Sequence, residues 1–516
     1  MRADTILINA VMPGDPLRPP TQEVAVAGGR VLGVGKGLAA DRDMASGAQI
    51  VDCCGGAVLP GFVDAHLHFF SFVDSLLAAD LRPQNGVQSI ADIQSALRRK
   101  ADRIPPGQWL RGRGYDDFRL NGRRHPNRLD LDAAVPNHPV KLTHRSLHAH
   151  VLNSLALKLL GIDRNTQDPP GGMIDRDPVT GDATGILYEM GEMLARRVPR
   201  WTAKTFEGGV KRAAQELAAS GITAFLDASP TVDSSRPKLF REYKAKRLVA
   251  QRVAMMMGPG ALAELGRRDS ASGNDDEVAI WGIKVILDRT TGALRPGRDE
   301  LADTVQKVHE FGWPVAIHAV EEETVEAALS AFETVPSVAR GSRKTGDRIE
   351  HGSVCPPHLA RRMAALGISV TTQPSFIHFH GDRYLESVHP EQLPHLYPLA
   401  TLIRGGVAVA GSSDCPLVPP SPLMGIYSAV TRRARSGAVV SPGQEIPVKD
   451  AVAMYTTSAA RAVGLDFYTT SLATGQAADL VVLSDDPLAV PPDSLKHIEV
   501  RLTMIAGEIV WRSASL

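Results

Sequence analysis

Cysteine is scarce, with four in 516 residues (Cys53, Cys54, Cys355 and Cys415). None is spaced C-x-x-C and the adjacent pair is poorly placed to bridge, which argues against both a disulfide framework and a zinc finger. The thiols therefore read as reduced. No apolar run reaches the length of about 18 residues that a membrane-spanning helix needs. The opening MRADTILINAV lacks a positively charged start followed by a long apolar stretch, so no export signal is read there. Net charge is absent too. Lys plus Arg and Asp plus Glu number 57 each, which removes the broad attraction that nucleic acid or an anionic membrane would exploit. The local basic group Arg432, Arg433 and Arg435 reads as a solvated helix face. There is no short-period repeat and no low-complexity tract. What is present, 43% hydrophobic and 22% charged residues, is a globular profile. The expectation is a cytoplasmic enzyme with a small-molecule substrate, no nucleic-acid or membrane partner, and a homodimer among the assemblies it admits.

The length exceeds one ordinary domain but suits a barrel with insertions and an added module. Short β-like runs punctuated by Gly and Pro occupy both ends: TILINAVM, EVAVAGG and RVLGVG at the start, ADLVVLSDDP and IEVRLTMIAGEIVW at the finish. They are expected to form one small β-sandwich-like domain from residues 1–58 and 466–516. Between them, apolar strands alternate with charged segments of helical period: GFVDAHLH, GITAFLDA, VAQRVAMMM, IWGIKVILD, PVAIHAV, RIEHGS, ISVTTQP and GVAVAGSSD. Strict alternation implies a parallel sheet, and eight strands imply a (β/α)8 TIM-type barrel over residues 59–465. The gap after the first strand, about residues 70–205, is too long for a simple connection and reads as an inserted α/β subdomain. Long insertions of this kind often lie over an active site.

Residues i and i+2 of a strand face the same way, so Asp64, His66 and His68 project to one side of the first strand. Two neutral imidazoles presented together suit zinc and similar ions, but two ligands do not make a site. Lys284 in GIKVILD, His318 in PVAIHAV, His351 in RIEH and Asp414 in GSSD fall at or near the ends of other strands. Barrel enzymes place their chemistry at these C-terminal ends. Polar groups buried there cost several kcal/mol each unless they find partners, and a metal supplies them.

The pattern H-x-H on strand one, Lys on strand four, His on strands five and six and Asp on strand eight resembles the amidohydrolase superfamily. The passages QWLRGRGYDDF, HPNRLDLDAAVPNHPV, HAHVLNSLALKLLGI, PPGGMIDRDPVTGDATGILYE and SSDCPL resemble its large-insert branch, which includes N-substituted formamide deformylase. The resemblance implies one or two divalent ions, zinc by the donor types. His66, His68 and Asp414 would hold one, His318 and His351 the other, and a carboxylated Lys284 would bridge them. Only a neutral amine reacts with CO₂, so burial would first have to depress the lysine pKa. The activity implied is hydrolysis of an amide-type C–N bond by metal-activated hydroxide, with Asp414 accepting the water proton and passing it to the leaving nitrogen.

Two positions depart from that pattern. Glu321 and Glu322 stand where the branch has Gly and Asp, and His318 with Glu321 imitates the H-x-x-E of mononuclear deaminases, which makes deamination the alternative activity. Arg289 follows Asp288 where Gly is usual, and its guanidinium could grip a substrate carboxylate. Within the insert, Trp109, Tyr115 and His148 are candidate substrate contacts. His378 and His380, after the seventh strand, are expected to form a pocket wall or to support the metal ligands.

Overall fold

A computed structural model describes residues 2–13, 22–230, 233–268, 278–289, 292–334, 346–465, 471–514 and 516. The boundary placed at residue 466 begins in 466–470, outside the described residues. The chain divides into two compact units, Met1–Phe69 with Ala214–Leu516, and Phe70–Ala213.

The first unit is built on one eight-stranded parallel sheet. In chain order its strands are β1 (Phe62–Leu67), β2 (Ile222–Asp227), β3 (Arg252–Met257), β4 (Val278–Ile286), β5 (Val315–Ala319), β6 (Arg348–His351), β7 (Ser369–Thr372) and β8 (Val409–Gly411). Each pairs with its neighbour in sequence, all in parallel. The edges meet where Asp414 N–H donates to His66 O at 2.9 Å and His68 N–H donates to Cys415 O at 2.8 Å. The seam that joins β8 to β1 therefore runs through three site residues. Every residue of β1 and β2 is buried, as expected of parallel strands covered on both faces.

Two four-stranded sheets complete this unit. One comprises Thr5–Ala10, Gln22–Ala27, Arg30–Gly35 and Gln49–Asp52; the other joins Ala57–Pro60 to Leu480–Leu483, Val500–Ile505 and Glu508–Arg512. Leu7, Val24 and Val51 from the first share one apolar cluster with Val58, Val482 and Leu502 from the second, so both ends of the chain contribute to one core. Arg432 departs from its expected place on a solvated face. It is buried, and its guanidinium donates to the carbonyls of Val440, Tyr397 and Leu396 at 3.1, 3.0 and 2.8 Å. Only Arg433 and Arg435 of that group are exposed. Backbone acceptors make the difference, because they replace the water that a buried guanidinium gives up.

The second unit has a six-stranded mixed sheet, with Ala79–Asp80, Leu110–Tyr115 and Val140–His144 parallel and Ala149–Leu152, Ala183–Tyr188 and Met173–Arg176 antiparallel. Its helices include Ile90–Ala101 and Ser154–Leu159. Ser89 caps the first of these by accepting from Asp92 N–H, as an N-cap serine should. No helix among the described residues is long and apolar enough to cross a membrane.

Candidate metal centre

The parallel register gathers the polar residues of the first unit at one end of the strands. β1 delivers His66 and, one residue beyond its end, His68; β4, β5 and β6 deliver Lys284, His318 and His351; Asp414 follows β8. His351 and Asp414 have positive φ, 72° and 54°. A left-handed backbone costs a non-glycine residue roughly 1–2 kcal/mol, and such strain concentrates where function over-determines the geometry.

Asp414 is the hub. Its Oδ1 lies 3.2 Å from His68 Nε2 and 3.6 Å from His66 Nε2, and its Oδ2 lies 4.0 Å from His351 Nδ1. His66, His351 and Asp414 can each place one ligand atom within 4.8 Å of the other two. His318 packs its ring on His351, centroids 4.4 Å apart. His66 Nε2 and Asp414 Oδ1 are buried without a hydrogen-bond partner, an arrangement that is costly unless something else binds them. These orphaned atoms, with imidazole and carboxylate as the donor set, fit a divalent ion.

The candidate ligands are held by residues whose roles are not legible in the motif. His66 Nδ1 bonds Glu350 Oε2, and Glu350 Oε1 accepts from Arg348 Nε. His68 Nδ1 bonds Ser229 Oγ at 2.9 Å and His351 Nδ1 bonds Gln373 Oε1 at 2.8 Å. Asp64 shares the face of His66 but points to the seam, where it accepts from Ser413 Oγ at 2.5 Å and from Ser413 N–H at 3.1 Å. Occupying the remote ring nitrogen in this way fixes an imidazole's orientation for ligation. The charged pair in R-I-E-H, two residues apart in a buried strand, was the one available sign of Arg348 and Glu350.

Electrostatics suit ligation. Burial, with Lys284 nearby, pulls His66 down to about 3, so its ring is neutral at pH 7. Burial depresses Lys284 to about 8 against the opposing pull of Glu350 and Asp414, so a neutral amine fraction exists near physiological pH. Burial pushes the Asp414 carboxyl up, but the adjacent imidazoles of His68, His66 and His351 outweigh it and hold the group below the usual carboxylate range. Glu350 is held well below its ordinary value, chiefly by Arg348, although burial opposes this.

The remaining candidates make contacts of their own. Arg289 is exposed and pairs with Glu323. Glu321 is exposed just before the helix Glu322–Thr334, and its Oε2 accepts from Thr324 Oγ1 at 3.4 Å. His378 and His380 lie on the helix Ser375–Ser387, where His378 packs on Phe379 and Tyr427 and His380 on Phe376. In the second unit Tyr115 is buried with its hydroxyl 2.9 Å from His125 Nδ1, Trp109 packs against an apolar cluster, and His148 is exposed beside Glu189.

A parallel eight-stranded barrel with imidazoles, a carboxylate and a lysine at its strand ends defines a class of α/β-barrel enzymes. The amidohydrolase family profile matches residues 49–511, and the chain belongs to that family. YtcJ of Bacillus subtilis, a protein named for the same family, is 30% identical across 89% of this chain and 90% of its own. The N-substituted formamide deformylase of Arthrobacter pascens is 28% identical across 98% of this chain and 97% of its own. Among solved structures, an uncharacterized metal-dependent hydrolase of Pyrococcus horikoshii OT3 superposes with a TM-score of 0.73 at 26% identity, covering 95% of this chain and 99% of that one.

Proposed function

We propose that this chain is a metal-dependent amidohydrolase that cleaves an amide-type C–N bond of a small molecule. The observation that carries the reading is the pair of orphaned buried atoms, His66 Nε2 and Asp414 Oδ1, among converging imidazoles. His66, His68 and Asp414 would hold one ion, His318 and His351 a second, and Lys284 as a carbamate would bridge them. A divalent ion in that place, zinc by the nitrogen and oxygen donors, lowers the pKa of water towards 7 and polarises a carbonyl oxygen. The residues do the rest. Glu350 and Gln373 keep His66 and His351 in ligating orientation. Asp414, ionised at neutral pH, takes the proton of the attacking water and delivers it to the leaving nitrogen.

The resemblance in sequence to N-substituted formamide deformylase makes N-substituted formamides the first substrates to try. Deamination would require Glu321 as a proton shuttle, and its exposed position ahead of a helix lends that reading no support. The test is elemental analysis after mild dialysis, together with turnover on formamides and larger amides. Up to two divalent ions per chain and metal-dependent amide cleavage are expected; a metal-free preparation with full activity would overturn the proposal.

A further inference from the structure

One large apolar side chain beside the candidate centre is open to solvent. Among the described residues, Ile286 is the one large hydrophobic residue on a barrel strand that is exposed, at 49%, whereas Lys284, two positions before it, is 2% exposed. Residues i and i+2 of a strand face the same side, so Ile286 shares the face of Lys284 and stands one row nearer the C-terminal end. The register of β4 with β5 places it independently: Lys284 lies beside Ala316 and Ile286 beside His318. Ile286 is thus flanked by two residues of the centre, Lys284 along its own strand and His318 across the ladder.

The exposure has a structural cause. β4 is nine residues long, and its pairing with β3 stops where Met257 meets Ile283, so the residues of β4 beyond Ile283 have no strand on that side. On the other side the ladder continues past Ile286, with Leu287 N–H donating to His318 O at 3.3 Å. The backbone is held while the side chain is left uncovered, and β-branching restricts its χ1. A lone apolar residue on an outer surface is ordinary. On the strand face that carries the centre, it sets an apolar contact next to polar chemistry, the combination by which small-molecule sites hold and orient a ligand.

We propose that Ile286 is a specificity-determining residue, which packs on an alkyl substituent of the substrate amide and favours such substrates over polar ones. The inference rests on the amidohydrolase reading, because it is the amide group held at the centre that brings its substituent to Ile286. Each methylene that exchanges water for an apolar wall gains up to about 4-fold in affinity.

Straight-chain alkanohydroxamates test this without turnover, because the hydroxamate group chelates zinc and carries its chain past the centre. In the zinc-replete full-length protein, hexanohydroxamate should bind at least about 10-fold more tightly than acetohydroxamate by calorimetry. Ile286→Ala should cut that ratio to about 3-fold or less, and the polar Ile286→Asn at least as far. Zinc content and circular dichroism verify that both variants are loaded and folded. A second arm follows formate release from N-methylformamide and N-hexylformamide, in which water adds to the formyl carbon and the C–N bond breaks to leave formate and the protonated amine. The preference in kcat/KM for the hexyl compound should fall by a similar factor in both variants, chiefly through KM. A chain-length ratio that is the same in wild type and both variants would overturn the assignment of Ile286 and leave the amidohydrolase reading standing. Zinc-replete wild type that binds no hydroxamate and cleaves no formamide would overturn both.

Discussion

Replacing Glu350 by Ala should separate what holds the barrel together from what readies it for metal. Glu350 and Arg348 are both fully buried and paired with each other, and Glu350 also holds His66. Removing one member of a buried ion pair typically costs about 3–5 kcal/mol, because the other charge is left uncompensated. Arg348 would keep two carbonyl acceptors, Ala462 O at 3.0 Å and Ala65 O at 3.2 Å, and the face of Trp281 at 4.4 Å. The loss should therefore fall near the lower end, at about 3 kcal/mol. The double variant Arg348→Met/Glu350→Leu leaves no unpaired charge and should recover most of that stability, since apolar replacement of a buried pair is often neutral or better. Metal affinity should behave differently. In both variants His66 has lost its orienting carboxylate, so zinc binding should weaken about 10–100-fold. Urea unfolding of metal-free protein reads the first quantity and zinc titration the second. If the double variant restores affinity along with stability, Glu350 does not orient His66; if Glu350→Ala leaves the unfolding curve in place, the ion pair contributes nothing.

Three further outcomes are expected. Lys284→Ala should lose one of two ions and nearly all turnover, with partial rescue by short-chain carboxylic acids, while Glu321→Gln stays active; the reverse ranking would favour deamination. In metal-free protein Lys284 titrates at about 8, against an ordinary 10.5, so between these values the unfolded chain binds the proton that the folded chain has released. Stability should then rise with pH through that window by roughly 3 kcal/mol, and Lys284→Met should abolish the rise in urea midpoints measured from pH 7.5 to 10.5. Gly425→Ala should destabilise by about 1–3 kcal/mol or more by overpacking, because a Cβ there would overlap the Tyr455 hydroxyl; an unshifted melting curve would mean that Tyr455 moves aside easily.

Much of the candidate centre was legible because its residues sit on a repeating unit. An apolar run bounded by turn residues identifies a parallel strand, and the polar residue at its end is then conspicuous, as with His318 in VAIHA or His351 in RIEH. Arg432 was misjudged for the complementary reason. Two neighbours of the same charge suggested a solvated face, whereas its partners Tyr397 and Leu396 come from a segment more than thirty residues away.

The order of strands and helices, and with it the family, was determined by the sequence alone, because periodicity and chain punctuation are local properties. The tertiary structure decided which side chains meet. His66 on β1 and Glu350 on β6 are separated by 284 positions and are not on paired strands. They touch only because the sheet closes on itself and brings the inward faces of distant strands together. The same holds in the inserted unit, where the register of two parallel strands sets Tyr115 against His144 and so brings Asp117 to an imidazole. Strand register and barrel closure are collective outcomes of packing many side chains at once, and no short stretch of sequence displays them.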